Sequence, residues 1–103
     1  MVQVVWEFRV KPGREEEFEA RYGRGGDWER LFRRSSDYRG TVLLRDEGSP
    51  PRYLTLDSWT GRAALEDFRR EFAPQYEALD RDCENLTEDE RLVGCFRALE
   101  DAP

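Results

Sequence analysis

Apolar and polar residues alternate with a period of two along four segments of the chain, which predicts four β-strands. The first segment is rich in β-branched and aromatic side chains, as strands are. The linker between the second and third segments is short and rich in Gly and Pro, so these two strands are expected to form an antiparallel hairpin. The four predicted strands cover residues 2–10, 38–46, 52–59 and 91–99.

Helical spacing of apolar residues fills the intervals between these strands. Residues 14–23 begin with acidic side chains, which favour the N-terminal end of a helix, and Asp27 is suited to cap a second short helix. Residues 61–72 predict a third helix, and Pro74 suits the first turn of a fourth. Residues 87–90 resemble a helix cap but precede an alternating segment, so a turn is predicted there.

The predicted order is β-α-β-β-α-β, the ferredoxin-like split βαβ pattern of the α+β class, within a single domain over residues 1–103. Such a fold has a four-stranded antiparallel sheet with its helices on one face. Both parities of the strands carry apolar residues, for example Leu43 and Leu44. Because one helical layer covers only one face, the open face predicts a second copy of the chain and hence a homodimer.

Composition narrows the possible partners. The 103 residues carry a net charge of -6, with acidic and basic residues interspersed, so a nucleic-acid-binding surface is not expected. No apolar run is long enough to predict a membrane span, and the N-terminus lacks the pattern of a secretory leader. The expected location is the cytoplasm. Aromatic residues make up 13% of the chain, enough to build a core and line a pocket.

The chain contains no histidine, which removes the commonest general base and metal ligand. Ser-His-Asp and Cys-His catalysis are therefore excluded within one chain. Cys83 and Cys95 are isolated from one another in sequence, and two buried thiols are expected rather than a zinc site. No glycine-rich nucleotide-binding motif is present, so neither a metal nor an organic cofactor is predicted.

The third strand carries the candidate chemistry. Tyr53, Thr55, Asp57 and Trp59 share one side of it, so a carboxylate and a hydroxyl lie among aromatic rings. Asp57 has two interpretations: a base whose pKa is raised in an apolar pocket, or the partner of an arginine on another strand, such as Arg9 or Arg45. Trp59 is either a core wedge at the junction between strand and helix or a ring that stacks on a ligand.

The chain resembles the antibiotic-biosynthesis-monooxygenase-like family. The resemblance is carried by "VVWEFRVKPGREEEFE", "GTVLLRD", "RYLTLDSWTGRAALEDF" and "LVGCF", and it covers nearly the whole chain. It implies a dimeric α+β barrel with a ligand between sheet and helices. Members of this family include cofactor-free quinone-forming monooxygenases, haem-degrading enzymes, small isomerases and proteins of no known activity.

The resemblance implies that the protein binds, and oxidises without a cofactor, a small planar aromatic or phenolic compound. Trp59 would position the ring, and Asp57 or a tyrosine would handle a proton. The alternative is a non-catalytic dimeric module that binds a ligand or a protein. The remaining candidate ligand-binding residues are aromatic or hydroxyl-bearing side chains on the strands and helices, for several of which a core role is the competing interpretation: Trp6, Tyr22, Trp28, Phe32, Tyr53, Thr55, Phe68 and Tyr76.

The sequence departs from two catalytic patterns of the family. Where the quinone-forming members have an Asn shortly before the tryptophan, this chain has Thr55. The positions that resemble the Asn, Trp and His of the haem-degrading members are Trp6, Phe68 and Ala78, none of which matches. We therefore expect that the protein does not degrade haem.

Overall fold

The computed structural model describes residues 1–48 and 51–99. Four strands form one antiparallel sheet in the order β2-β3-β1-β4. The strands are β1 (Val2–Val10), β2 (Tyr38–Arg45), β3 (Arg52–Trp59) and β4 (Thr87–Arg97). The first and third strands are thus the central pair, and the hairpin of β2 and β3 is confirmed. The tip of the predicted hairpin loop, residues 49–50, lies outside the described residues.

Helices follow the first and third strands. They are α1 (Glu15–Tyr22), α2 (Asp27–Phe32), α3 (Arg62–Glu71) and α4 (Ala73–Cys83), and a single 3₁₀ turn at Glu84–Leu86 leads into the last strand. Three glutamates occupy the first turn of α1, and Pro74 lies at the start of α4, as the sequence predicts. No helix in the part of the chain that the structure describes is both long and apolar enough to cross a membrane.

The helices cover one face of the sheet, and the core lies between the two layers. Even-numbered residues of β1 and odd-numbered residues of β3 point into it, as their alternating burial shows. Phe18 of α1 and Trp59 of β3 are completely buried. Each such side chain contributes on the order of 1.5–3 kcal/mol of burial free energy. This arrangement confirms the predicted ferredoxin-like α+β fold.

No helix within residues 1–48 and 51–99 lies over the other face of the sheet. Glu7 at its centre accepts hydrogen bonds from two arginines on the flanking strands, Arg52 of β3 and Arg91 of β4. Towards the margins of the sheet, apolar side chains are exposed: Val42 by 52%, Leu44 by 44% and Phe96 by 50%. This face therefore combines an ion-pair network with uncovered apolar surface.

The last strand begins earlier than the alternation of apolar residues indicates. Residues 87–90 are not a turn, because Thr87, Asp89 and Glu90 pair with the end of β1. Their side chains are polar, so no hydrophobic period reveals them as strand. Backbone pairing with β1 decides the matter, since an edge strand needs no apolar face.

Candidate functional site

A cavity of about 320 Å³ lies between the helix-covered face of the sheet and the helices. Strands β1, β2 and β3 supply its floor, and α2 and α4 supply most of its wall. Six aromatic side chains line it: Trp6, Phe8, Tyr22, Trp28, Phe32 and Tyr76. A cavity of this size with flat apolar walls suits a planar ligand.

The aromatic walls are held in place by contacts between the rings. Trp28 meets the edge of Tyr76, with ring centroids 5.0 Å apart, and lies 5.8 Å from Tyr22 and 5.7 Å from Phe32. These distances are within the range of favourable aromatic pairs. Rings that support one another in this way form a wall that need not rearrange when a ligand binds.

Asp57 is the buried carboxylate of the site. It is 8% exposed, lies in the floor of the cavity, and accepts a hydrogen bond from the Thr41 hydroxyl at 2.7 Å. Burial raises the pKa of Asp57 to about 6, although the Thr41 hydrogen bond and the charge of Arg69 act in the opposite direction. A carboxylate with this pKa is a stronger base than an ordinary aspartate and is still ionised at neutral pH.

A bulge in β2 makes the contact between Thr41 and Asp57 part of a longer chain of hydrogen bonds. The register of β2 against β3 shifts between Tyr38 and Gly40, and Gly40 has a φ of +114°, which favours glycine. The shift lets Tyr38 and Thr41 reach the same face, and their hydroxyl oxygens are 2.5 Å apart. When Thr41 donates to Asp57, Tyr38 must donate to Thr41, because a threonine hydroxyl has one hydrogen.

The arginines that the sequence offers as partners of Asp57 lie elsewhere. Arg45 pairs with Glu19 at 3.5 Å, and Arg9 points to the opposite face of the sheet. Among residues 1–48 and 51–99, no arginine or lysine forms an ion pair with Asp57. The ion-pair interpretation therefore has no partner among the described residues, and the role of Asp57 as a base stays a prediction.

Most of the predicted site residues come together at this cavity. Its lining includes the following residues that the sequence singles out: Trp6, Tyr22, Trp28, Phe32, Thr55, Asp57 and Tyr76. They come from five elements of structure, and only the packing of the helices on the sheet makes them neighbours. Their contact with a ligand stays a prediction.

Trp59 does not line the cavity, and its packing is that of a core wedge, one of its two interpretations; contact of its ring with a ligand stays an untested prediction. Its side chain is completely buried against Phe32, Tyr38 and Phe68, with ring centroids 5.1–5.5 Å away. Phe68 is likewise buried, at 2% exposure, and lies outside the cavity. Both belong to the core and pack against Phe32, which lines the cavity.

Tyr53 also lies outside the cavity. Its ring packs against Phe18, with centroids 4.9 Å apart, and its hydroxyl donates to a Glu19 carboxylate oxygen at 2.5 Å. Burial and this hydrogen bond raise the pKa of Tyr53 to about 12. Its polar group is thus held by α1, away from the cavity, and contact between Tyr53 and a ligand stays an untested prediction.

The cavity includes residues that sequence analysis does not identify. The only sequence signal for Thr41 is the preceding glycine inside a strand, which is typical of a bulge. The alternation of β1 marks Phe8 as a core residue and nothing more. The others are Ala73 at the start of α4 and four charged side chains at the opening of the cavity, on exposed residues of α3, α4 and β4: Arg69, Glu77, Asp80 and Glu90. Nothing in their spacing distinguishes them from other surface charges.

The described part of the chain contains no group of three or more cysteine, aspartate or glutamate side chains placed to hold a metal ion. Cys83 is buried, whereas Cys95 is exposed on β4. The prediction of two buried thiols is therefore correct for Cys83 alone.

Comparison with known proteins agrees with this architecture. A model of the family described as antibiotic biosynthesis monooxygenase matches residues 1–79. No curated protein matches the chain.

Solved structures share the fold over nearly the whole chain. A Bordetella bronchiseptica protein described as an antibiotic biosynthesis monooxygenase is 22% identical with a TM-score of 0.78, covering 96% of this chain and 97% of its own. A MhuD variant with two manganese protoporphyrin IX molecules bound per active site is 19% identical with a TM-score of 0.77, covering 100% and 99%. SnoaB, a cofactor-independent oxygenase from Streptomyces nogalater, is 24% identical with a TM-score of 0.63, covering 99% and 96%.

Proposed function

Because the chain belongs to the antibiotic biosynthesis monooxygenase family, we propose that it binds a planar phenolic compound and oxidises it with molecular oxygen, without a metal or an organic cofactor. One observation carries this proposal. Asp57 is a nearly buried carboxylate without an ion-pair partner among the described residues, and it lies in the floor of an aromatic cavity. A binding pocket for an inert apolar ligand does not need such a group.

Asp57 is suited to remove the proton of a phenol. Its Oδ1 accepts the hydrogen bond from Thr41, and no described residue donates to its Oδ2, which leaves that oxygen available to a ligand. The raised pKa of Asp57, about 6, brings it closer to that of a phenol and makes the proton transfer less unfavourable. The aromatic walls would hold the ring of the substrate in one plane over this oxygen.

The reaction balances with molecular oxygen as the oxidant. The phenolate gives one electron to oxygen, and the resulting superoxide combines with the ring radical at the carbon para to the hydroxyl group. The peroxide anion then takes the proton held by Asp57. Loss of the ring hydrogen as a proton and cleavage of the O–O bond yield a quinone and one water molecule. Each substrate loses four electrons, and one oxygen molecule accepts all four.

The tyrosine and threonine next to Asp57 would position this base. Thr41 fixes one carboxylate oxygen, and Tyr38 in turn fixes the Thr41 hydroxyl. A base held by a donor within a packed site keeps its orientation towards the substrate, which lowers the entropic cost of reaction.

We also propose that the protein works as a homodimer in which two sheets face each other to form an α+β barrel. The support is the helix-free face, where Val42, Leu44 and Phe96 are about half exposed. Burial of apolar surface contributes roughly 25 cal/mol per Å², so a second sheet would stabilise this face. The cavity lies on the opposite side of the sheet and stays open in such a dimer.

Oxygen uptake and quinone absorbance measured with a panel of polycyclic phenols will test the oxidation. We expect turnover by the natural chain, with one atom of labelled oxygen gas in the quinone. Asp57→Asn is expected to lower the rate by about 100-fold or more, the usual contribution of a general base, while phenols still bind. Asp82→Asn, at an exposed position of α4 outside the cavity, is the matched control and should retain the rate.

Three results would count against this proposal. Phenols that bind without any oxygen uptake would favour the non-catalytic binding module. A rate that survives Asp57→Asn would remove Asp57 as the base. A panel in which no planar phenol binds would reject the ligand class itself.

A further inference from the structure

The opening of the cavity carries an excess of negative charge. Glu77 and Asp80 lie on α4, Glu90 lies on β4, and Arg69 on α3 is the only cationic side chain among the described lining residues. With Asp57 in the floor, four carboxylates therefore face one guanidinium group. None of these five side chains forms an ion pair within residues 1–48 and 51–99.

Elsewhere on the described surface, several carboxylates do have arginine partners. Asp27, for example, contacts two arginines, and Glu29 pairs with Arg33. At the cavity, by contrast, carboxylates act on one another. Partial burial raises the pKa of Glu90, and the charges of Asp80 and Asp89 raise it further. Like charges held together at an apolar opening concentrate a negative potential there.

Charged groups at the opening act on Tyr76, the aromatic residue of α4 that lines the cavity. Burial raises the pKa of Tyr76, the charge of Arg69 lowers it, and the charges of Asp80, Asp57 and Glu90 raise it. The Arg69 guanidinium carbon lies 5.7 Å from the centroid of the Tyr76 ring, a cation–π arrangement. The one cation of the described lining is thus associated with an aromatic face rather than with a carboxylate.

A second observation points to a ligand rather than to a solvated acidic surface. Asp57 is more than nine-tenths buried, and its Oδ2 lies at the cavity without a hydrogen-bond donor from the described chain. A ligand with a hydroxyl group at one end would satisfy that oxygen. A positive charge at its other end would satisfy the carboxylates at the opening, between aromatic rings that also attract cations.

We propose that the ligand is a planar phenol that also carries a protonated amine, with its hydroxyl group at Asp57 and its amine between Asp80 and Glu90. This inference rests on the proposed function, because it names the substrate class of the same cavity. It makes the opening a selectivity filter that accepts cationic phenols, tolerates neutral ones and repels anionic ones.

Three naphthols of the same size will test this, bearing an aminomethyl, a hydroxymethyl or a carboxyl group. Their affinities can be measured by calorimetry at low and high salt. We expect the aminomethyl compound to bind about tenfold more tightly than the hydroxymethyl compound, and the carboxyl compound to bind most weakly. Added salt should reduce these differences, because it screens exposed charges.

Amino-acid substitutions will show which carboxylates cause the preference for the amine. Asp80→Asn combined with Glu90→Gln should bring the aminomethyl and hydroxymethyl compounds to nearly equal affinity. The matched control combines Asp82→Asn with Glu88→Gln, which removes the same charge from the same two elements outside the cavity. This control should keep the preference for the amine, which excludes an effect of net charge alone.

The outcomes separate the two proposals. If the hydroxymethyl compound binds but the amine gives no advantage, the inference about charge is overturned and the proposed phenol site stands. The same holds if the preference survives the loss of Asp80 and Glu90. If none of the three naphthols binds, the proposed function fails and this inference fails with it.

Discussion

Two carboxylates on neighbouring strands of this sheet have opposite environments. Glu7 of β1 points to the helix-free face and is held by Arg52 and Arg91, whose hydrogen bonds lower the pKa of Glu7 to about 2. Asp57 of β3 points to the helices and has, among the described residues, only the Thr41 hydroxyl as a hydrogen-bond partner, and burial raises its pKa to about 6. The charged form of Glu7 is favoured by its partners, whereas that of Asp57 is disfavoured by its surroundings.

This contrast distinguishes a carboxylate that holds the sheet together, Glu7, from one suited to proton transfer, Asp57. Glu7 connects three strands and has no reason to change its protonation state near neutral pH. Asp57 costs the folded state free energy whenever it is charged, because the Thr41 hydrogen bond and the charge of Arg69 offset its burial only in part. Groups kept in this condition inside a cavity are candidates for proton transfer. Five predictions test how far the two faces of the sheet differ.

The largest expected effect is the loss of stability when a core residue on the helix-covered face of the sheet is replaced. Trp59→Ala should lower the free energy of unfolding by on the order of 3–5 kcal/mol, since it empties a closed part of the core. Phe96→Ala on the open face should change the stability of the monomer by less than about 1 kcal/mol. Urea unfolding of both variants measures this. A stable Trp59→Ala protein that no longer binds phenols would instead assign Trp59 to ligand contact.

The second prediction concerns pH. An unfolded Asp57 titrates near 3.8 and the folded one near 6, so the folded state binds the extra proton between these values. Stability should therefore fall by on the order of 2–3 kcal/mol as the pH rises from about 4 to 7. Asp57→Asn should abolish this fall, which urea titrations at several pH values will show.

For Glu7, stability is expected to change with pH in the opposite direction, and Glu7→Gln tests this in the same urea titrations. The pKa of Glu7 is lower in the folded state, so its stabilising contribution is present above the unfolded value and is lost as the pH falls towards 2. The variant should lose stability at neutral pH and show a weaker decline in acid. Parallel curves for both variants would contradict the distinction between the two carboxylates.

A smaller effect is expected for assembly through the open face. Light scattering should give twice the chain mass of 12.2 kDa at micromolar concentration. Leu44→Asp or Phe96→Asp should weaken the dimer by about 1–3 kcal/mol each, because a charge would be buried against the partner sheet. Ala78→Asp on an exposed position of α4 is the control and should leave the mass unchanged. A natural chain that is monomeric would overturn the proposed barrel.

The smallest expected effect is the response to haem. The chain has no histidine, and the opening of its cavity is acidic, which disfavours an anionic porphyrin. Haemin titration should therefore give only weak, nonspecific absorbance changes. A sharp Soret band that saturates at one haem per chain, with turnover under reductant, would show that the protein is a haem-degrading enzyme.

The order of elements and the composition of each strand face follow from the amino-acid sequence alone. Alternation with period two is enough to place Thr55, Asp57 and Trp59 on one side of β3, because successive side chains of a strand must alternate. The same pattern shows that both sides of the sheet are apolar enough to need cover. It does not indicate which side the helices take, since both parities are compatible with burial.

Which of these residues reach the cavity depends on tertiary packing. Trp59 and Asp57 share a strand face, but Trp59 is closed off by the core while Asp57 borders open space. The partner of Asp57 depends on a bulge at Gly40, and its charged neighbours at the opening come from three different elements, α3, α4 and β4. Contacts of this kind arise from how the helices pack on the sheet, and local sequence patterns do not encode that packing.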